Sequence, residues 1–155
     1  MGDLEKSAEA CNVREIIGYQ IHLTAQLARN RINRKLKPLG IATEQLTILA
    51  FLHKYPELSQ NDLGKKVGKD KTTVTRMLEA LVKKGLIRKV SDRNDRRAFL
   101  IYLTPRGEEI LEAALPISKT VTEEYHRLLD DDERNHLLNA LEKIQEFCLK
   151  EEEQS

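Results

Sequence analysis

The sequence predicts a mostly α-helical chain carrying one small β-hairpin. Three observations predict it. Apolar residues recur at three- and four-residue spacing over most of the 155 positions, the period of helices that bury one face. Two of these stripes lie close together, joined by a short turn containing Gly68, the sequence form of a helix-turn-helix. Directly after them, short apolar runs at 86–90 and 98–103 flank the polar residues 91–97, which reads as a hairpin with a long charged tip.

Residues 11 to about 37 read as one long helix with Val13, Ile16, Ile17, Ile21, Thr24, Leu27, Ala28, Ile32 and Leu36 on its stripe. Leu23 lies off the stripe and points to more than one buried face. Arg29, Arg31, Arg34, Lys35 and Lys37 gather near its end, where positive charge suits the helix dipole, and Pro38 and Gly40 stop it. A helix this long in so small a chain cannot be covered along its length by its own domain, which points to a dimer. Thr43 has the chemistry of an N-cap for a helix running to about Tyr55, before Pro56, and burying Leu46, Leu49 and Ala50, with His53 a further candidate. Ser59, with Asp62 three residues on, caps a short helix over 60–66 that buries Leu63 and Val67. Gly68 supplies the positive φ of a sharp turn. Asp70 caps the next helix and Gly85 follows its end. Val74, Met77, Leu78, Leu81 and Val82 form its apolar stripe, opposite Lys71, Thr72, Thr75, Arg76, Glu79 and Lys83.

After the hairpin, Thr104 caps and Pro105 starts a helix over about 105–129. Its buried set is Ile110, Leu111, Ala114, Leu115, Val121, Tyr125 and Leu128, and Pro116 is expected to kink or break it. Acidic residues at 130–133 favour the start of a last helix. Leu137, Leu141, Ile144 and Cys148 form a narrow seam suited to another helix, with Cys148 read as core. Residues 151–155 are expected to fray.

Composition narrows the function. No apolar run approaches the roughly 18 residues that span a bilayer. The polar N-terminus lacks the apolar segment of a signal peptide, which places the chain in the cytoplasm, away from membranes. Cys11 and Cys148 make neither a disulfide framework nor a metal motif, and His22, His53, His126 and His136 show no ligand spacing. No phosphate-cradling glycine loop or nucleophile elbow is present, so no enzyme, metal or cofactor is expected. The net charge of +1 hides an asymmetry: residues 65–97 hold twelve Lys/Arg against four acids, and residues 108–155 hold five against fourteen. One basic and one acidic block on one small chain point to an oriented polyanionic partner.

Residues 59–104 supply what double-stranded DNA requires. Lys71, Thr72, Thr75 and Arg76 lie toward the start of the second helix, the end that enters a major groove; arginine can bond guanine in a bidentate way and threonine can touch bases or phosphates. Ser59 and Gln60, beside helix N-terminal amides, are placed to meet a phosphate. Arg93, Arg96 and Arg97 at the hairpin tip have the length and charge for a narrow minor groove. Asp95 would be repelled by phosphate and suits holding a neighbouring arginine in one rotamer.

This stretch resembles the winged helix-turn-helix of the MarR family of transcription regulators. The matching pieces are T-T-V-T-R (Thr72, Thr73, Val74, Thr75 and Arg76), L-x-x-x-G-L-I from Leu81, D-x-R from Asp95 and L-T-P-x-G from Leu103. With the helices on either side, the resemblance covers about residues 11–150 of a single-domain chain. It implies a winged helix-turn-helix over 41–104, and dimerisation helices over 11–38 and 105–150. It further implies an obligate homodimer on a pseudo-palindromic operator, and a wing in which Asp95 pairs with the minor-groove arginine Arg97. Many family members release DNA when a small aromatic or phenolic ligand binds between the dimer helices and the winged region. Tyr19, His22 and Arg29 are the candidates for such a site. Others sense oxidants through a cysteine, but about where Tyr19 stands rather than at Cys11. Two other readings fit the same residues: a ligand-independent winged-helix or DNA-architectural dimer, and a helical module that binds an acidic protein through its basic face.

Overall fold

A computed structural model describes residues 13–95 and 98–153. Cys11, Arg96 and Arg97 therefore lie outside the described residues. Two compact units result, one ending at Ile117 and one beginning at Ser118.

In the first unit a 3-10 turn, Val13–Glu15, precedes helix α1, Ile17–Leu36. The helix starts later than the apolar spacing predicts. Ile16 is extended and has no side-chain cap, and β-branched Ile16 and Ile17 ahead of Gly18 are weak helix formers. A second 3-10 turn containing Pro38 ends at Gly40. Helix α2, Thr43–Lys54, is capped by Ala42 and not by Thr43. The reason lies in its partners: the Thr43 N–H donates to Asn33 Oδ1 at 2.8 Å and the Ala42 N–H to Gln45 Oε1 at 3.3 Å. Side chains from the first turn and from α1 thus satisfy the N–H groups of Ala42 and Thr43, and Thr43 itself joins the helix as its first residue. Leu46, Ile48, Leu49 and Leu52 are buried. His53 is exposed, against expectation, with Nδ1 2.9 Å from Glu108 Oε2.

A two-residue strand β1, Leu58–Ser59, leads into helix α3, Gln60–Val67. Gly68 turns the chain at φ 62°, a conformation that glycine adopts without Cβ strain. Helix α4, Lys71–Lys83, buries Val74, Leu78 and Leu81. Val82 is 42% exposed and so leaves the expected stripe. Strands β2, Ile87–Ser91, and β3, Phe99–Leu103, pair antiparallel, with Ile87 opposite Leu103 and Ser91 opposite Phe99. The sheet order is β1-β3-β2. Leu58 pairs with Ile101 and Ser59 with Leu100, so the hairpin is rooted at the start of α3. The hairpin reading does not anticipate β1, because two residues are too few to show an alternation in sequence.

Helix α5, Pro105–Leu128, begins on a tight junction. The Thr104 N–H donates to the Leu86 carbonyl at 3.1 Å, and its hydroxyl donates to the Gly85 carbonyl at 2.6 Å while accepting from the Gly107 N–H at 3.1 Å. A Cβ on Gly107 would collide with the Leu86 carbonyl oxygen. Glycine is thus what lets α5 dock on the start of the hairpin. Pro116 lies inside α5 without ending it, and Leu115 is exposed where burial was expected. The core of this unit joins Leu36, Ile48, Leu49, Leu63, Leu78 and Ile101, all fully buried.

The second unit holds the end of α5 and helix α6, Asp131–Glu153. Its cap is reciprocal: the Glu133 N–H donates to Asp130 Oδ1 at 2.8 Å and the Asp130 N–H to Glu133 Oε2 at 3.0 Å, a capping box. The helix continues through Glu153, past the point where fraying was expected. Leu141 and Ile144 are half-buried. Leu128 and Leu137, expected inside, are exposed, and Cys148 is exposed and not core. An apolar seam at helical spacing needs a facing surface to become core, and spacing alone does not supply one.

Candidate nucleic-acid interface

The helix-turn-helix is set by two local caps. Ser59 Oγ accepts from the Asp62 N–H at 3.1 Å and donates to Asp62 Oδ2 at 2.7 Å. Asp70 Oδ1 accepts from the Thr73 N–H at 2.9 Å, and Asp70 Oδ2 accepts from the Thr73 hydroxyl at 2.6 Å. The hydroxyl bond and then the backbone bond from Thr73 hold the Asp70 carboxyl below its ordinary range, because both favour the ionised form.

These bonds sort the residues expected at the interface. Lys71, Thr72 and Arg76 are exposed on α4, and Thr72 and Arg76, four residues apart, share one face. Among the described residues, Arg76 has no ion-pair or hydrogen-bond partner. Thr73 is committed to Asp70. Thr75 is half-buried, its hydroxyl donating to the Lys71 carbonyl at 2.9 Å and accepting from Gln60 Nε2 at 2.8 Å. Lys89 Nζ on β2 lies 3.5 Å from Gln60 Oε1. Ser59 and Gln60, expected to meet phosphate, thus also make side-chain bonds within the protein.

The tip is shaped by backbone. The Asp92 N–H donates to the Ala98 carbonyl at 3.0 Å, the Ala98 N–H to the Asp95 carbonyl at 2.9 Å, and the Asn94 N–H to Asp92 Oδ1 at 2.9 Å. Arg93 and Asp95 are exposed there. A cleft of about 340 Å3 separates tip from helices, lined by Ser59, Gln60, Asn61, Lys71, Asp95 and Phe99. The starts of α3 and α4 and the tip therefore meet around one depression.

A wider cleft of about 1010 Å3 lies among the end of α1, the start of α2 and α4, lined by Asn30, Asn33, Arg34, Lys37, Lys69 and Met77 among others. At its edge Lys84 Nζ donates to the Gly40 carbonyl at 2.7 Å and to Gln45 Oε1 at 2.8 Å. Of the residues expected to meet a ligand, Arg29 is 3.4 Å from Glu44, a residue of this cleft. Tyr19 and His22 are exposed farther toward the start of α1. Sequence reasoning missed Gln45, Lys84 and Lys89. Each acts on a residue far along the chain, and no local pattern marks them. Among the described residues no His, Cys, Asp and Glu group could hold a metal ion, and no helix is long and apolar enough to cross a membrane.

A three-stranded sheet whose hairpin follows two helices joined at Gly68 defines a winged helix-turn-helix protein. The model of the MarR family matches residues 41–99. The uncharacterized HTH-type transcriptional regulator YdgJ of Bacillus subtilis (strain 168) is 32% identical over 68% of this chain and 64% of its own length. The transcriptional regulator HosA of Escherichia coli O111:H- is 30% identical over 64% of this chain and 74% of its own length. Among solved structures, a mutant MarR from E. coli complexed with operator DNA superposes with a TM-score of 0.80 at 30% identity, covering 87% of this chain and 99% of that one. The chain belongs to the MarR family.

Proposed function

We propose that the chain is a sequence-specific DNA-binding regulator of transcription, acting as a cytoplasmic homodimeric repressor on a pseudo-palindromic operator and released from it by a small ligand. The observation that carries this reading is the division of labour on α4. One face is buried through Val74, Leu78 and Leu81, and the other presents Lys71, Thr72 and Arg76 beside a basic wing. In that role Arg76 and Thr72 read base edges, Lys71 and Arg93 neutralise phosphates, and Arg97 reaches into the flanking minor groove with Asp95 as its partner. The operator-bound relative supports the same docking.

Residues 41–104 would form the DNA-binding region, with 11–38 and 105–150 dimerising. Support for the dimer is the exposed apolar surface on the outer helices: Ile17 at 67% and Leu27 at 59% exposed on α1, Phe147 at 66% on α6. Apolar area of this kind gains roughly 25 cal/mol per Å2 when a partner covers it. Support for ligand control is the cleft between α1 and α4, whose cationic lining suits an anionic or phenolic group. Tyr19, His22 and Arg29 remain candidates for the part of such a site nearer the start of α1.

The deciding experiment is titration with the promoter DNA of the protein's own gene at increasing salt. Log-linear loss of affinity is the expected result; salt-insensitive or absent binding would sink the reading. Arg97→Ala is expected to cost about 1–3 kcal/mol and to lower the preference for an A/T-rich flank. Unchanged binding would remove the wing from the groove.

A further inference from the structure

The side chain of Gln60 is bonded to both the recognition helix and the wing. Its Nε2 donates to Thr75 Oγ1 on α4 at 2.8 Å, and its Oε1 lies 3.5 Å from Lys89 Nζ on β2. Thr75 is in turn tied to its own helix through the Lys71 carbonyl. Lys89 pairs in the sheet with Ile101, which pairs on its other side with Leu58, two residues before Gln60. The amide thus closes a loop of contacts around α3, α4 and the sheet.

We infer that Gln60 is a positioning residue that fixes the separation between the base-reading face of α4 and the wing, and that Thr75 is its anchor and not a base contact. Three observations carry this. Gln60 is half-buried, and both ends of its amide are engaged inside the protein, one Nε2 N–H toward α4 and Oε1 toward β2, which holds the side chain across the two elements. The Thr75 hydroxyl both donates and accepts within the protein. The two bonded elements, α4 and β2, are the ones that must reach two adjacent grooves together.

The inference rests on the DNA-binding reading, and its test separates the two. An operator is selected with the wild-type protein from a random duplex library. A second duplex carries one extra base pair between the segment contacted by α4 and the A/T-rich flank. That insertion shifts the flank by one base-pair rise and rotates it by about a tenth of a turn. A rigid wild-type frame is expected to lose about tenfold in affinity on the longer duplex, the size of a single-site mismatch. Gln60→Ala and Thr75→Val are expected to bind the original operator more weakly but to lose about threefold or less on insertion, because a loosened frame adapts. Thr75→Ser keeps the hydroxyl and is expected to behave as wild type.

Equal losses on both duplexes for Gln60→Ala would make Gln60 a phosphate contact and overturn the inference. A changed base preference at one position for Thr75→Val would make Thr75 a base reader, with the same consequence. Thermal unfolding of each variant keeps misfolding out of the comparison, and Thr75→Val, nearly isosteric, keeps the test open should Gln60→Ala fail to fold. Selection of no sequence by the wild type would defeat the DNA-binding reading itself.

Discussion

Single side chains at the interface divide into those that face outward and those that hold the frame. Arg76 belongs to the first group. Replacing it with alanine is expected to relax base preference within each half-site, read by repeating the selection with the variant. A uniform loss on all sequences would make it a phosphate contact. Asp70 belongs to the second. Its carboxyl is held below the ordinary aspartate value of 3.8 by Thr73. A depressed folded-state pKa contributes stability above the unfolded value, and this is lost as pH falls through the folded one. The gap in thermal midpoint between wild type and Asp70→Ala is therefore expected to be full near neutral pH and to shrink below pH 3.8. A gap independent of pH would remove the ionised carboxylate from the cap. At this scale the sequence was a good guide where partners lie three residues apart, as in Ser59 with Asp62 and Asp70 with Thr73. It was a poor guide where they lie 15 or 29 apart, as in Gln60 with Thr75 and Lys89. Ser59 and Gln60, which look like phosphate donors by type, also make bonds within the protein, because donor chemistry is visible in sequence and its long-range partners are not.

Elements were legible wherever the apolar period was long. The α4 stripe buries Val74, Leu78 and Leu81 as its spacing requires, and both wing strands fall within a residue of their apolar runs. Caps were less so: Ala42 takes the place of Thr43 because Asn33, ten residues back, serves the first turn. The junction between wing and α5 tolerates no side chain at Gly107. Gly107→Ala would place a methyl against the Leu86 carbonyl oxygen, a backbone atom that cannot turn aside. The expected cost is about 1–3 kcal/mol, the range for overpacking, measured by denaturant unfolding. A variant as stable as wild type would mean that α5 shifts freely on the sheet.

The whole molecule carries more apolar surface than its own chain covers. Leu128 is 76% exposed and Phe147 66% exposed, and surface of that kind marks interaction sites. Sedimentation at micromolar concentration is expected to give a dimer, and a monomer would remove that assembly. If it holds, selected half-sites should lie about one helical turn, roughly 10–10.5 base pairs, apart. Helical spacing in sequence identified these faces as apolar. It could not say what covers them, since Leu137 and Cys148 obey the same period as Leu111 and differ only in having no facing surface.

The place of β3 in the middle of its sheet has a consequence for how such a chain can diversify. Because β3 is held on one side by β2 and on the other by β1, the root of the wing is fixed independently of its tip. Strand faces alternate with a period of two. Lengthening both strands by two residues would carry the arginines outward by about 7 Å with every root residue keeping its face. A change of one residue in a single strand would invert that strand beyond the insertion or force a bulge. Reach along the flank can thus be adjusted in steps, like the length of a ruler, without redesign of the core that holds its base.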